Sequence, residues 1–269
     1  MNMQISVLSE DCANYNSVGI LAEHGLSLLV EHDGRSIIFD TGQSSVFIRN
    51  AERMGKDIRS VDYLVLSHAH FDHTAGLPHY VKAKEGRVPL VCHPGVFERK
   101  LDVDGTDVGS PLSLAEARES FDVNLVEETT KIDEGIHLLV DVPRVHEDPG
   151  TVIYHLRDGE REPDPVSEDS NLVLRTDKGL FVVVGCSHSG VVNIVREAQE
   201  AFDEQVYGIA GGFHLIDAGR ERLRNVIDCF REMGIEVILP CHCTGLEGTY
   251  LMGRELGARK INSGQTVKI

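Results

Sequence analysis

The chain has 269 residues, 41% hydrophobic and 26% charged, with 43 Asp+Glu against 26 Lys+Arg and a formal net charge of −17. Such a composition can build a core, which excludes wholesale disorder, and its acidity argues against a protein that binds by neutralising many phosphates with a basic face. Histidine stands out at 13 copies, and it is the commonest metal ligand and the side chain best placed to titrate near neutrality. The start, Met1 to Asp11, has no basic stretch leading into an apolar run, and no later segment approaches the ~18 uninterrupted apolar residues of a membrane span. A cytoplasmic protein with no membrane partner is expected. Its six cysteines are scattered without a C-x-x-C pair, the pattern of reduced thiols.

In chain order, Ile5–Leu8, Leu26–Val30 and Ser36–Phe39 read as short strands of a meander, with Asp33-Gly34 as a hairpin turn. Ser44 and Ser45 offer a helix N-cap, Phe47, Ala51 and Met54 share one helical face, and Gly55 supplies the stop. Val61–Leu66 is then a buried strand. Residues 94–143 are a less legible excursion, read as a helix near 113–120 and strands near 123–126 and 136–142. Residues 157–170, rich in acids and with two prolines, read as a solvated loop or a lid. Helices follow over 191–204, with Val191, Val195, Ala198 and Phe202 on one stripe, and over 218–233, ending at Gly234. Strand and helix alternate throughout, and one domain over 1–269 is expected.

Four apolar strands each run into a histidine: Tyr63 to His68, Leu180 to His188, Val206 to His214 and Glu236 to His242. In layered α/β architectures the carboxyl ends of neighbouring strands share one edge, where ligands bind. The four histidines are therefore expected to converge. Val88 to His93 follows the same pattern, with Pro94 marking a turn. The densest segment is His68-Ala69-His70-Phe71-Asp72-His73. Residues i and i+2 of an extended segment point the same way, so His68 and His70 can grip one cation. A turn at Phe71 brings Asp72 and His73 beside it, where they can bind a second. So much polarity is costly to bury without a charge partner, and a metal supplies one.

With Ile38-Phe-Asp-Thr-Gly42 before it, this motif resembles the metallo-β-lactamase superfamily, over nearly the whole chain. Glu23-His-Gly-Leu-Ser27, Asp40-Thr-Gly-Gln43, Gly185-Cys-Ser-His-Ser-Gly-Val-Val-Asn193, Gly211-Gly-Phe-His-Leu215 and Pro240-Cys-His-Cys-Thr-Gly245 resemble one subgroup. It includes the archaeal enzyme joining a dihydropterin-methyl diphosphate to ribofuranosylaminobenzene phosphate, beside bacterial relatives of unknown substrate. The resemblance implies an α/β fold, a four-layer αββα sandwich of two mixed sheets flanked by helices. It also implies one or two divalent metals, with Zn first and Mn or Fe as alternatives. Most members carry a metal-bridging Asp in a Thr-Gly-Asp turn, where this chain has Val184-Gly185-Cys186. The third histidine of the first metal site has no clear match upstream of that turn.

The expected metal ligands are accordingly His68, His70, Asp72, His73, His188 and His242. Cys186 is a ligand or a neighbour of the metal. Glu23 is either a solvated hairpin residue or a carboxylate reaching the metal, and Asp40 orients a metal-bound histidine. His214 is a proton donor, a substrate contact or an ordinary loop histidine, its flanking Gly211-Gly212 permitting close approach of backbone to a substrate. Asp72 and His214 are the catalytic candidates. Ser189 and Gly190 lead into a helix whose N–H groups suit a substrate phosphate or carboxylate.

A metal that lowers the pKa of bound water from 15.7 to about 7 supplies hydroxide at neutral pH. The leading expectation is a hydrolase attacking a small anionic ester, lactone, thioester or phosphoester. The alternatives are the pterin-joining transferase, with the metal drawing off diphosphate, and a non-catalytic metal-binding protein. Nucleic acid is not an expected partner, and the oligomeric state is open.

Overall fold

The computed structural model describes residues 3–146, 150, 153–157 and 160–269. The chain divides into two compact units, one of Met1–Glu127, Thr151–Glu168 and Asn262–Ile269, the other of Glu128–Gly150 and Asp169–Ile261. The first unit opens with β1 (Met3–Ser9), β2 (Ser27–His32), β3 (Arg35–Phe39), α1 (Val46–Arg53), β4 (Tyr63–Val65), α2 (Phe71–Thr74), α3 (Leu77–Ala83) and β5 (Pro89–Cys92). It continues with β6 (Lys100–Leu101), α4 (Leu114–Ser120) and β7 (Asp122–Leu125). The chain enters the second unit with β8 (Thr130–Asp133) and β9 (Ile136–Leu139) and returns to the first for β10 (Tyr154–Arg157) and β11 (Glu160–Pro163). It then completes the second with β12 (Asn171–Thr176), β13 (Gly179–Val184), α5 (Val191–Phe202), β14 (Val206–Gly212), α6 (Arg220–Glu232), β15 (Val237–Cys241) and α7 (Gly245–Leu256). The last strand, β16 (Thr266–Lys268), belongs to the first unit.

Each unit carries one mixed sheet with helices, so the chain is α/β. In the first the strand order is β16-β1-β2-β3-β4-β5-β7, antiparallel from β16 to β3 and parallel from β3 to β7. In the second it is β15-β14-β13-β12-β9-β8, parallel only between β13, β14 and β15. Parallel neighbours need a crossover, and helices α5 and α6 provide it. Central strands such as Leu28-Leu29-Val30 are buried at every position, which is why they read as apolar runs and not as an alternation.

In the first unit Phe47 and Ala51 of α1, Leu77 and Tyr80 of α3 and Ala117 of α4 pack on Ile38, Leu64 and Leu90. The Tyr80 hydroxyl, in that core, donates to the Ile58 carbonyl at 2.7 Å. In the second, Val191, Ile194 and Val195 of α5 and Leu223, Val226 and Phe230 of α6 pack on Val182, Val184, Ile209 and Ile238. The Asp33-Gly34 turn has positive φ at both residues, 47° and 83°, the geometry of a two-residue hairpin.

The excursion at 94–143 contains the expected helix and strands as α4, β7 and β9, together with β6, β8 and a 3-10 turn at Pro94–Phe97, where His93 Nδ1 accepts the Gly95 N–H at 3.0 Å. The acid-rich segment 157–170 departs from a plain loop. Within it Glu160–Pro163 forms β11, paired with β10, because ladder hydrogen bonds need no apolar side chains. Three of its acids, Asp164, Glu168 and Asp169, are buried, and Lys100 of β6, 1% exposed, places Nζ 2.6 Å from Asp164 and 3.0 Å from Glu168. No helix among the described residues is long and apolar enough to cross a membrane.

Phe230 is fully buried on α6, edge to face with Phe213 at 5.9 Å. Phe230→Ala is expected to cost about 3–5 kcal/mol through lost burial and a residual cavity, measured as a fall in the urea midpoint without loss of cooperativity.

Candidate functional site

In the first unit the donors are placed by the ends of two parallel strands. β3 runs into Asp40 and β4 into Ser67-His68, and the Asp40 N–H donates to the Val65 carbonyl at 2.9 Å. Asp40 has φ 60°, an uncommon conformation for a non-glycine residue. This turns its fully buried carboxylate across the strand end. Oδ1 accepts the Ser67 N–H at 2.8 Å, while Oδ2 accepts the Ser67 hydroxyl at 2.7 Å and lies 2.7 Å from His73 Nδ1. Asp40 thus braces His73, as expected for a carboxylate that orients a histidine.

The chain turns at Phe71 into α2, whose first residues carry Asp72 and His73. The turn brings the His68 ring to 4.7 Å from His70 and 4.2 Å from His73, centroid to centroid. Ser67 Oγ lies 2.8 Å from His68 Nδ1. With Nδ1 of both His68 and His73 engaged, Nε2 is the nitrogen each ring presents to a cation. Burial holds His70 down to about 4, against a partial offset from Asp72. Three close imidazoles are a donor set that fits a divalent metal. Gly25 allows this packing: a Cβ there would lie 2.2 Å from the Asp72 carbonyl oxygen.

Glu23 uses its carboxylate on hydroxyls, with Ser44 at 2.5 Å and Ser9 at 3.3 Å, and so braces the turn at Gly42. The side chain that faces Asp72 is its neighbour His24, whose Nε2 is 3.4 Å from Asp72 Oδ2 and whose Nδ1 is 3.2 Å from Asp11. Asp72 Oδ2 is also 3.5 Å from His73 Nε2.

In the second unit, β13, β14 and β15 are adjacent and parallel, and each ends in a histidine: His188, His214 and His242. Within this unit the His188 and His214 rings lie 4.6 Å apart. Three residues here take positive φ, Ser187 at 58°, His214 at 50° and His242 at 47°. Such strain persists only where the surroundings over-determine it and tends to mark functional positions. Cys186, His214 and Cys243 offer ligand atoms within 4.8 Å of one another. Burial pushes the Cys243 thiol up, but hydrogen bonds from Cys186 and His214 and the nearby His242 outweigh it and hold it well below the usual thiol range.

Two expectations need correction. The N–H groups of Ser189 and Gly190 already have protein partners: Ser189 donates to Asp169 Oδ2 at 2.8 Å and Gly190 to the Ser187 carbonyl at 2.9 Å. Burial pushes the Asp169 carboxyl up to about 6, against the Ser189 hydrogen bonds. Gly211 and Gly212 make room for protein, not for substrate. A Cβ at 211 would lie 2.0 Å from the Val184 carbonyl oxygen, and one at 212 would lie 2.6 Å from both Cys243 Sγ and the Gly185 oxygen.

Ser67, Asp169 and Cys243 escaped the sequence reading. Cys243 carried a signal, since it makes a Cys-His-Cys run with His242. Asp169 carried none, being one acid among many.

The sequence pattern of the metallo-beta-lactamase superfamily matches residues 21–193. The chain is 29% identical to the 7,8-dihydropterin-6-methyl-4-(beta-D-ribofuranosyl)-aminobenzene-5'-phosphate synthase of Methanocaldococcus jannaschii, covering 99% of this chain and 97% of that protein. It is 32% identical to an uncharacterized protein of the same archaeon, over 84% and 86% of the two chains. A solved structure described as a metal-dependent hydrolase of the beta-lactamase superfamily is 30% identical, with a TM-score of 0.88 over 99% of both chains.

Asp40→Asn would set an amide against His73 Nδ1, favouring the tautomer with its proton on Nε2. Metal affinity is expected to fall about 10–100-fold, measured by competition with a chromogenic chelator. In metal-free protein, the unfolded chain takes up a proton on His70 below its ordinary value of 6.5, while the folded chain resists until about 4. Stability is therefore lost as pH falls through that window, by about 3 kcal/mol from this group. Urea unfolding across the window should show the slope, reduced in His70→Asn.

Proposed function

Because the chain belongs to the metallo-beta-lactamase superfamily, we propose that it is a metal-dependent transferase that joins a dihydropterin-methyl diphosphate to ribofuranosylaminobenzene phosphate. The single observation that carries this reading over hydrolysis is the likeness to the archaeal synthase along nearly the entire length of both chains. His68, His70 and His73 are the proposed donors of the first unit, and His188 and His242 those of the second. The donor set favours Zn, since imidazole suits it. When bound, a divalent cation supplies Lewis acidity toward the diphosphate oxygens.

The chain's own residues then have two tasks. Asp40 and Ser67 hold the rings in one tautomer and orientation. Asp72 is the proposed acceptor for the proton lost by the aminobenzene nitrogen, as that nitrogen bonds to the pterin methyl carbon and the carbon–oxygen bond to diphosphate breaks. Asp72 sits next to the three imidazoles yet is only 7% exposed, which suits a base kept from bulk water. The acidic body, at −17, disfavours a polyanionic polymer and leaves a compact anionic substrate as the fitting class.

Hydrolysis is the second reading, favoured by the 30% identical structure described as a metal-dependent hydrolase. Metal-reconstituted protein given both transferase substrates should release diphosphate and form the joined product, each only when the other substrate is present. Asp72→Asn should lower kcat by about 10²–10⁴-fold. Diphosphate release without the aminobenzene partner, or turnover of lactone, thioester or phosphodiester panels, would move the assignment to hydrolysis. Inactivity of fully loaded protein in every assay would leave a metal-binding protein.

A further inference from the structure

We propose that Cys186, His214 and Cys243 form a cation site of soft donors, two thiolates and one imidazole, that takes Zn²⁺ or a comparably thiophilic ion such as Cd²⁺. All three donors come from the second unit, and the inference does not depend on which reaction the protein catalyses.

The first support is the sheet itself. Each donor follows a different one of three adjacent parallel strands, with Val184 of β13 opposite Gly211 of β14 and Gly212 opposite Cys241 of β15. The ladder fixes the spacing, and ligand atoms of the three side chains lie within 4.8 Å of one another. Such a cluster is not a by-product of one flexible loop.

The second support is the cradle around Cys243. The notch at Gly212 admits its sulfur, since a Cβ there would stand 2.6 Å from Sγ. The sulfur takes the His214 N–H at 3.3 Å and lies 3.6 Å from the Cys186 carbonyl oxygen. A buried cysteine acting as a small hydrophobe packs among apolar atoms; this one is surrounded by polar partners. The third support is His214, held at φ 50°, whose Nδ1 is buried with no hydrogen-bond partner among the described residues. A buried polar atom left so is costly, and a cation offers it a partner.

The chemistry of the set then names the ligand class. Thiolate with imidazole selects zinc and softer ions over Mg²⁺ or Ca²⁺, which demand oxygen. Two sulfurs and one nitrogen leave the fourth position of a tetrahedral site for water or substrate. On binding, the two thiols form metal–sulfur bonds and give up their protons to solvent, with no change of oxidation state.

The test uses the full chain, reduced, stripped of metal and titrated with Co²⁺ or Cd²⁺. Expected are a near-ultraviolet thiolate-to-metal charge-transfer band and a cadmium NMR resonance in the sulfur-ligated range. Cys243→Ser should cut the band by about half or more, while Cys92→Ala, a buried cysteine of the first unit, should leave it intact. The wild-type cadmium resonance keeps the test valid if the variant fails to fold. Metal binding with no such band and a resonance typical of nitrogen and oxygen ligands would overturn the proposal. So would a band unchanged in folded Cys243→Ser, or recovery of Cys186 and Cys243 as a disulfide from protein never exposed to oxidant.

Discussion

The first unit's donors depend on one buried carboxylate. Asp40 is inaccessible, and taking a carboxylate out of water costs several kcal/mol unless its oxygens are fully engaged. Here the Ser67 N–H, the Ser67 hydroxyl and His73 Nδ1 engage them, each a charge-assisted bond worth about 1.5–3 kcal/mol. The bonds tie the end of β3 to the end of β4 and to α2, adding side-chain bonds to the backbone bonds that Asp40 and Thr41 make to Val65 and His73. Ser67 passes the constraint on to His68 through its hydroxyl. A charge that would be a liability elsewhere is thus the fixed point from which two imidazoles take their orientation.

The second unit uses a different device. Ser187, His214 and His242 adopt left-handed backbone at the ends of three strands, each at a cost of about 1–3 kcal/mol. The strain is held by bonds between neighbouring ends: Ser187 Oγ donates to the Gly212 carbonyl, Phe213 N–H to Thr244 Oγ1, and Leu215 N–H to the Cys243 carbonyl. Parallel strands deliver their carboxyl ends to one edge, and the left-handed residue at each end turns its side chain back over that edge. Fold and chemistry meet in the local backbone there, not in any single side chain.

Much of this was legible in the sequence because the cues were local. Buried parallel strands announce themselves as apolar runs, Asp33-Gly34 as a turn, and the density of His68, His70, Asp72 and His73 as a donor cluster. What escaped depended on partners far along the chain. Asp164 and Glu168 look solvated until Lys100, more than sixty positions earlier, is seen between them. Ser189 and Gly190 look like an open anion cradle until Asp169 is seen to take the Ser189 N–H and the Ser187 carbonyl that of Gly190. Gly211-Gly212 looks like room for substrate, although the volume belongs to β13 and to a sulfur thirty-one positions later. Helix α7 was missed because its sequence, Gly-Leu-Glu-Gly-Thr-Tyr, has two glycines in its first four residues and buries little.

The pairing of Gly212 with Cys243 also bears on how such a chain can change over generations. A side chain at 212 is incompatible with the sulfur where it stands, and an empty notch beside a smaller residue at 243 would forfeit packing that interiors ordinarily fill. Neither position can drift alone without loss. Across descendants of this sequence the two should therefore behave as one inherited character, exchanged together or kept together, although thirty residues of strand, helix and turn separate them.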